Sequence, residues 1–278
     1  MNIRGKWLQH PSSWRKLALN TWSEPDNATM YGAIDVDVTA LDVYLRERSE
    51  QTGVKCSMTH AVSRALAMLL RRHPECNVVV RGRRIWLRDD VDVFHQVAVP
   101  SKTGGQANLS GAVVRRADTK KVEQIAAELR ERAEAVRTDR DAELARTQGM
   151  FQRLPGPALR GLLTALGALS YRWNLPVPGS PRDAFGSAMV TSVGMLGIKV
   201  AYAPLVTFSH CPIVVLVGKV EDRAVVRDAQ VVIRPMCTVT ATLDHRVLDG
   251  VQGAKLAADM QRLLEQPTLL DCEPSALD

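Results

Sequence analysis

A chain of 278 residues, 46% hydrophobic and 24% charged, carries enough apolar content for one large domain or two modest ones, which excludes wholesale disorder. Its net charge of +6 and pI of about 9.2 suit phosphate-bearing ligands, acidic partners or an anionic membrane. No RNA or DNA motif accompanies the densest basic cluster, "RGRRIWLR" (81–88), so no nucleic-acid partner is expected.

Along the chain, "MNIRGKWLQHPSSWRK" lacks the apolar core of a signal peptide, and no run approaches the roughly 20 apolar residues of a membrane-spanning helix. "MYGAIDVDV" (30–38) alternates as a strand does. "TALDVYLRERSEQTG" (39–53) reads as a helix capped by Thr39 and ended by Gly53, and a second helix opens at Ser57 or Thr59 and stops before Pro74. Strands are expected near 77–81, 84–88 and 91–99, followed by a long charged helix over 117–147. Residues 149–185, bounded by prolines, change character. They read as an insertion whose "ALRGLLTALGALSYRW" forms an apolar helix interrupted by Arg160 and Arg172. "IVVLVGKVE" (213–221), a hairpin near 224–233 and "TVTATLDH" (238–245) read as strands. An amphipathic helix over 250–266 follows, with a loosely held tail.

Elements mixed in this way, without regular strand–helix alternation, predict an α+β sandwich rather than a doubly wound sheet. The sequence contains no internal repeat and no glycine-rich phosphate loop. Its six histidines lie far apart, so no metal site is expected. The five cysteines form no CxxC pair and their odd number argues against a disulfide framework; a reducing cytoplasm is the expected compartment.

"TATLDHRVLDG" (240–250) places a histidine at a strand end, an aspartate four positions later, and then glycine. An imidazole with an ordinary pKa of about 6.5 is largely neutral at cell pH and suits a general base. By spacing alone His245 is either such a base or a polar turn residue, with Asp249 capping the last helix and Gly250 supplying the tight turn.

With its surroundings, "DHRVLDG" resembles the catalytic domain of the 2-oxo acid dehydrogenase acyltransferases, a family whose motif is shared more loosely by chloramphenicol acetyltransferase. "AIDVDVTALDVYLRERSEQTGVKCSMTHAVSRALAMLLRRHPECN", "VAVPSKTGG", "AVVRRADTKKVEQIAAEL" and "MVTSVGMLGI" match in the same order, so the resemblance covers most of residues 15–270. It implies a chloramphenicol acetyltransferase-like two-layer sandwich, a mixed sheet with helices, in a homotrimer with active sites between subunits. It implies His245 as general base and Thr191 as the hydroxyl that stabilises the oxyanion, with Ser192 one register step away. Asp249 would orient the site through an ion pair with Arg15, with Arg246 contributing. Acyl-CoA enters as a substrate, and nothing is bound permanently.

The chain departs from the family in four places. No lipoylation sequence or subunit-binding module precedes the domain, so either a separate lipoyl or carrier protein presents the acyl group or the acceptor is another molecule. "TGGQANLSGAVVRRAD" replaces the family's "GLxxPV" pattern. The insertion has room to cover an acyl tunnel, line a subunit interface or touch a membrane. The polar ending "LLDCEPSALD" predicts a simple trimer rather than a giant core. Two hypotheses follow: a CoA-dependent acyltransferase acting on a thiol, hydroxyl or amine, and a non-catalytic trimeric scaffold.

Overall fold

The computed structural model describes residues 4–9, 28–99, 108–137, 156–176, 182–206 and 209–274. Among them, the strands are β1 (Gly5–Trp7), β2 (Thr29–Asp37), β3 (Val78–Arg81), β4 (Arg84–Arg88), β5 (Val93–Val99), β6 (Asn108–Val114), β7 (Ala188–Ser192), β8 (Ile213–Arg227) and β9 (Gln230–Asp244). The α-helices are α1 (Thr39–Thr52), α2 (Met58–Arg72), α3 (Val122–Arg137), α4 (Gly156–Gly167) and α5 (Gly250–Glu265).

Six strands form one sheet in the order β2-β9-β8-β7-β5-β6. The pairs β2–β9, β9–β8 and β5–β6 are antiparallel, whereas β7 runs parallel to both β8 and β5. Alternation sends Val190, Ile213, Val215, Val239 and Leu243 into one face, where α2 and α5 cover them. The chain is therefore a two-layer α+β sandwich with a mixed sheet, as the sequence predicts. A separate sheet, β1-β4-β3, stands beside it.

Every side chain of α2 from Ala61 to Leu70 is buried, because the helix lies between the sheet and its helical neighbours. Arg64 is tolerated there because main-chain carbonyls meet its donors: Leu270 at 3.0 Å, Asp118 at 2.5 Å and Cys272 at 2.7 Å. These bonds hold Leu270 and Cys272 within the segment that the sequence leaves loose; residues 275–278 of it lie outside the described ones. Pro267–Asp271 forms a 3-10 turn with Leu270 fully buried, and Asp271 accepts bonds from Tyr44 and Arg48.

Other elements also differ from expectation. Thr39 is not the cap of α1; Val38 is, and the Thr39 hydroxyl donates to Asp37 at 2.5 Å. The hairpin expected near 224–233 is present, turned by Asp228 and Ala229 at positive φ, but its arms are continuous with the flanking strands, giving two strands of 15 residues. The charged helix starts late: Ala117–Thr119 is a 3-10 turn with Asp118 buried, and α3 begins at Val122. Residues 138–147 of that expectation lie outside the described ones. In the insertion, α4 passes into a π-turn, Ala168–Arg172, whose Tyr171 packs against Val79 and Trp86 of the small sheet. Arg81 donates to the Tyr171 carbonyl at 2.8 Å and the Arg172 carbonyl at 3.4 Å, so the end of the insertion rests on its own chain.

Candidate active site

The turn after β9 is rigid for reasons visible in each residue of "DHRVLDG". His245 extends the β2–β9 ladder by one rung, its N–H donating to the Ala28 carbonyl at 2.5 Å. Asp244, buried, takes two-pronged bonds from the buried Arg246 guanidinium, at 3.0 Å from Nε and 2.6 Å from Nη2. Val247 and Leu248 are anchored in the core. Asp249 accepts from the N–H groups of Val251 and Gln252, while the Gln252 side chain accepts from Asp249 N–H, a reciprocal cap on α5.

This scaffold holds the Leu248 carbonyl 2.7 Å from His245 Nδ1. A carbonyl oxygen only accepts, so Nδ1 carries the proton and Nε2 is the basic nitrogen of the neutral ring. His245 is half-buried at the end of the sheet, as a base that must meet substrate requires.

The other described histidines are less suited. Burial lowers His95 to about 3, with the charge of His60 adding to the shift, and its Nε2 lies 2.9 Å from the Ser63 hydroxyl in the core. Burial takes His60 to about 4, and its Nδ1 accepts the Ser57 N–H at the start of α2. His210 stacks on Tyr171, and His73 sits against Asp259. Burial also pushes the Cys211 thiol up to about 12 and Cys237 to about 11, far from thiolate nucleophiles. Among the described residues no group of His, Cys, Asp or Glu side chains has the makings of a metal site, and no helix is long and apolar enough to cross a membrane.

Thr191 and Ser192 end β7, both half-buried, and the Thr191 hydroxyl donates to Gln96 Oε1 at 3.1 Å. The turn beyond them demands glycine: a Cβ on Gly194 would lie 2.5 Å from the Gly218 carbonyl oxygen. One chain does not bring Thr191 to His245. Thr191 pairs with Leu216, and Leu216 pairs with Thr240, five residues short of His245. At about 3.4 Å per residue and about 4.8 Å per strand, the two side chains lie about 20 Å apart.

Arg15, the expected partner of Asp249, lies outside the described residues. Three contributors escape the sequence reading: Asp244 as the buried partner of Arg246, the Leu248 carbonyl as tautomer lock, and Gln96 as holder of the Thr191 hydroxyl. The adjacent opposite charges in "DHR" are the only local signal for the first.

The chain thus combines a mixed sheet under helices with an oriented histidine on the turn that follows its long hairpin. The chain belongs to the 2-oxoacid dehydrogenases acyltransferase (catalytic domain) family, whose model matches residues 19–151 and 181–271 and skips the stretch between them. It is 28% identical over 244 residues to the dihydrolipoyllysine-residue acetyltransferase component of the pyruvate dehydrogenase complex of Rhizobium meliloti, an alignment covering 85% of this chain and 44% of that protein. Its fold is similar to a probable dihydrolipoamide acetyltransferase from Listeria monocytogenes, with TM-score 0.63 and 17% identity over 91% of this chain and 89% of that one. It is also similar to the Azotobacter vinelandii dihydrolipoamide acetyltransferase, with TM-score 0.63 and 21% identity over 87% and 83% of the two chains. The chain spans about half the length of the curated relatives it matches.

Proposed function

We propose that this chain is a CoA-dependent acyltransferase moving an acyl group between a CoA thioester and a thiol, hydroxyl or amine acceptor. The observation that carries the reading is the Nδ1–Leu248 bond, which leaves Nε2 as the basic nitrogen of a ring held on a well-braced turn. Nε2 takes the acceptor's proton as the acceptor attacks the thioester carbonyl, forming a tetrahedral oxyanion. Collapse breaks the carbon–sulfur bond, and the proton on Nε2 passes to the departing CoA sulfur. CoA is a substrate throughout, and no permanently bound cofactor takes part.

The oxyanion donor is Thr191, with Ser192 as its neighbour in register, supplied by a second copy of the chain because the two halves lie about 20 Å apart within one. We assign the assembly as a homotrimer. The surface just beyond Thr191 supports this: Met195 is 86% and Leu196 70% exposed, with Ile198, Val200 and Tyr202 continuing the apolar strip. A lipoyl group, where one serves as acceptor or donor, comes from a separate protein. All five cysteines are free, which supports a cytoplasmic setting.

The test is release of free CoA thiol from acetyl-CoA and longer acyl-CoAs in the presence of small thiol, alcohol and amine acceptors. The wild type is expected to turn over, and His245→Ala to lose at least about 10²-fold in kcat with unchanged melting. Full activity in His245→Ala overturns the mechanism, and absence of both CoA binding and turnover in the wild type makes the chain a scaffold.

A further inference from the structure

Between α5 and the sheet lies an apolar cavity of about 280 Å³. Its floor is Met30, Gly32 and Ile34 of β2 with Ala241 and Leu243 of β9; its roof is Gly253, Ala254 and Ala257 of α5. The pocket is half open, with Tyr31, Gly32 and Ala254 at its exposed edge and Leu66, Ile213 and Val239 at its depth. Small residues, Gly32, Ala241, Gly253, Ala254 and Ala257, make up much of its lining. At Gly253 the layers touch: a Cβ there would sit 3.3 Å from Met30 Cε and 3.7 Å from Leu243 Cδ1. Beyond that contact Ala254 and Ala257 carry only methyl groups, Leu256, Met260, Leu66 and Leu69 complete the covering, and on the floor a Cβ at Gly32 would meet nothing within 4 Å.

Two residues that line the cavity, Leu243 and Gly250, flank the His245 turn in sequence. Leu243, which lines it, precedes His245 by two residues on the same line of alternation, and His245 continues the β2–β9 ladder through the Ala28 carbonyl. One such step is about 7 Å. Gly250, at the start of α5, lines the same space.

We propose that this cavity receives the acyl chain of the thioester attacked at His245, which makes apolar chains of medium length the substrate class. The inference rests on the acyl-transfer reading above. A cavity of about 150 Å³ accepts benzene, so this one holds a chain on the order of eight to ten carbons. Short polar acyl groups such as succinyl gain nothing from an apolar lining and pay desolvation of their carboxylate.

The experiment is calorimetric titration of the full chain with CoA, acetyl-CoA, hexanoyl-CoA and octanoyl-CoA, alongside transfer from each to a small thiol. Burial of each methylene is worth about fourfold in affinity, so octanoyl-CoA is expected to bind about 100-fold or more tighter than acetyl-CoA. Gly32→Leu fills the cavity from its floor and Ala257→Leu from its roof. Both are expected to bring the octanoyl-to-acetyl preference close to one, with melting temperatures kept or raised showing that they fold. Equal binding of acetyl-CoA and octanoyl-CoA by the wild type overturns the inference while leaving acyl transfer from acetyl-CoA standing. A preference that survives in both folded variants also overturns it, since the chain then lies elsewhere. Tight octanoyl-CoA binding that both variants abolish, without transfer to any acceptor, upholds the cavity and refutes the catalytic reading.

Discussion

Lowering the pH should unfold this protein through two histidines that have no part in the proposed chemistry. Burial holds His95 at about 3, helped by the charge of His60, and burial holds His60 at about 4, against about 6.5 in an unfolded chain. Both folded values are depressed, so below pH 6.5 the unfolded state binds more protons and stability falls as pH falls. Each group contributes about 1.4 kcal/mol of loss by pH 5.5, so the pair contributes about 3 kcal/mol relative to pH 7.5 and about 5 kcal/mol by pH 4.5. Urea melts at half-unit pH steps measure this directly, with a slope approaching two protons between pH 6 and 4.5. His60→Gln isolates half of it. Glutamine at that position still accepts the Ser57 N–H that His60 Nδ1 accepts at 3.1 Å, so the cap survives while one titration disappears. The slope is then expected to fall to about one proton. An unchanged slope in a folded His60→Gln variant would refute the reasoning, because it would mean that His60 protonates in the folded state as readily as in the unfolded one.

Two further outcomes concern the active site. Mixing His245→Ala chains with Thr191→Val chains through denaturation and refolding should restore about a quarter of wild-type activity, since random assembly joins the two intact halves at one interface in four; recovery at the level of the unmixed variants would place both residues in one chain's site or remove Thr191 from it. Asp249→Ala should cost about 1 kcal/mol in urea melts through loss of the α5 cap, and Asp249→Asn should retain that cap. If Asp249→Asn nevertheless loses transfer activity, the carboxylate's charge acts on the site as well, as the family's ion pair implies; unchanged activity assigns Asp249 to the cap.

The parts of the fold written in local order were readable from sequence: Gly53 at its positive φ closes α1, and Ser57 caps α2. The His245 turn was readable for the same reason, since a histidine, a cap and a helix follow one another within a dozen residues. The hairpin near 224–233 was readable but its length was not, because Pro235 and the charged run at Asp222 and Arg223 resemble strand ends. In the folded chain Arg223 is instead tied across the sheet to Asp35 at 2.8 Å and Thr238 at 2.9 Å. The separation of Thr191 from His245 was equally hidden, because it is set by the registers of β7 on β8 and β8 on β9. Arg64 reads as one more charge on a helix face, and only packing shows it holding three carbonyls from distant segments.

The Arg81 grip on the insertion has a consequence for how this chain can change. Arg81 holds the carbonyls of Tyr171 and Arg172, groups that every residue type carries, and Tyr171 fills the space beside Trp86. The attachment point is therefore nearly blind to the identity of the residues leading up to it. Substitutions in α4 that leave Tyr171 in place leave this attachment standing, so the segment's sequence can change while it lands on the same spot.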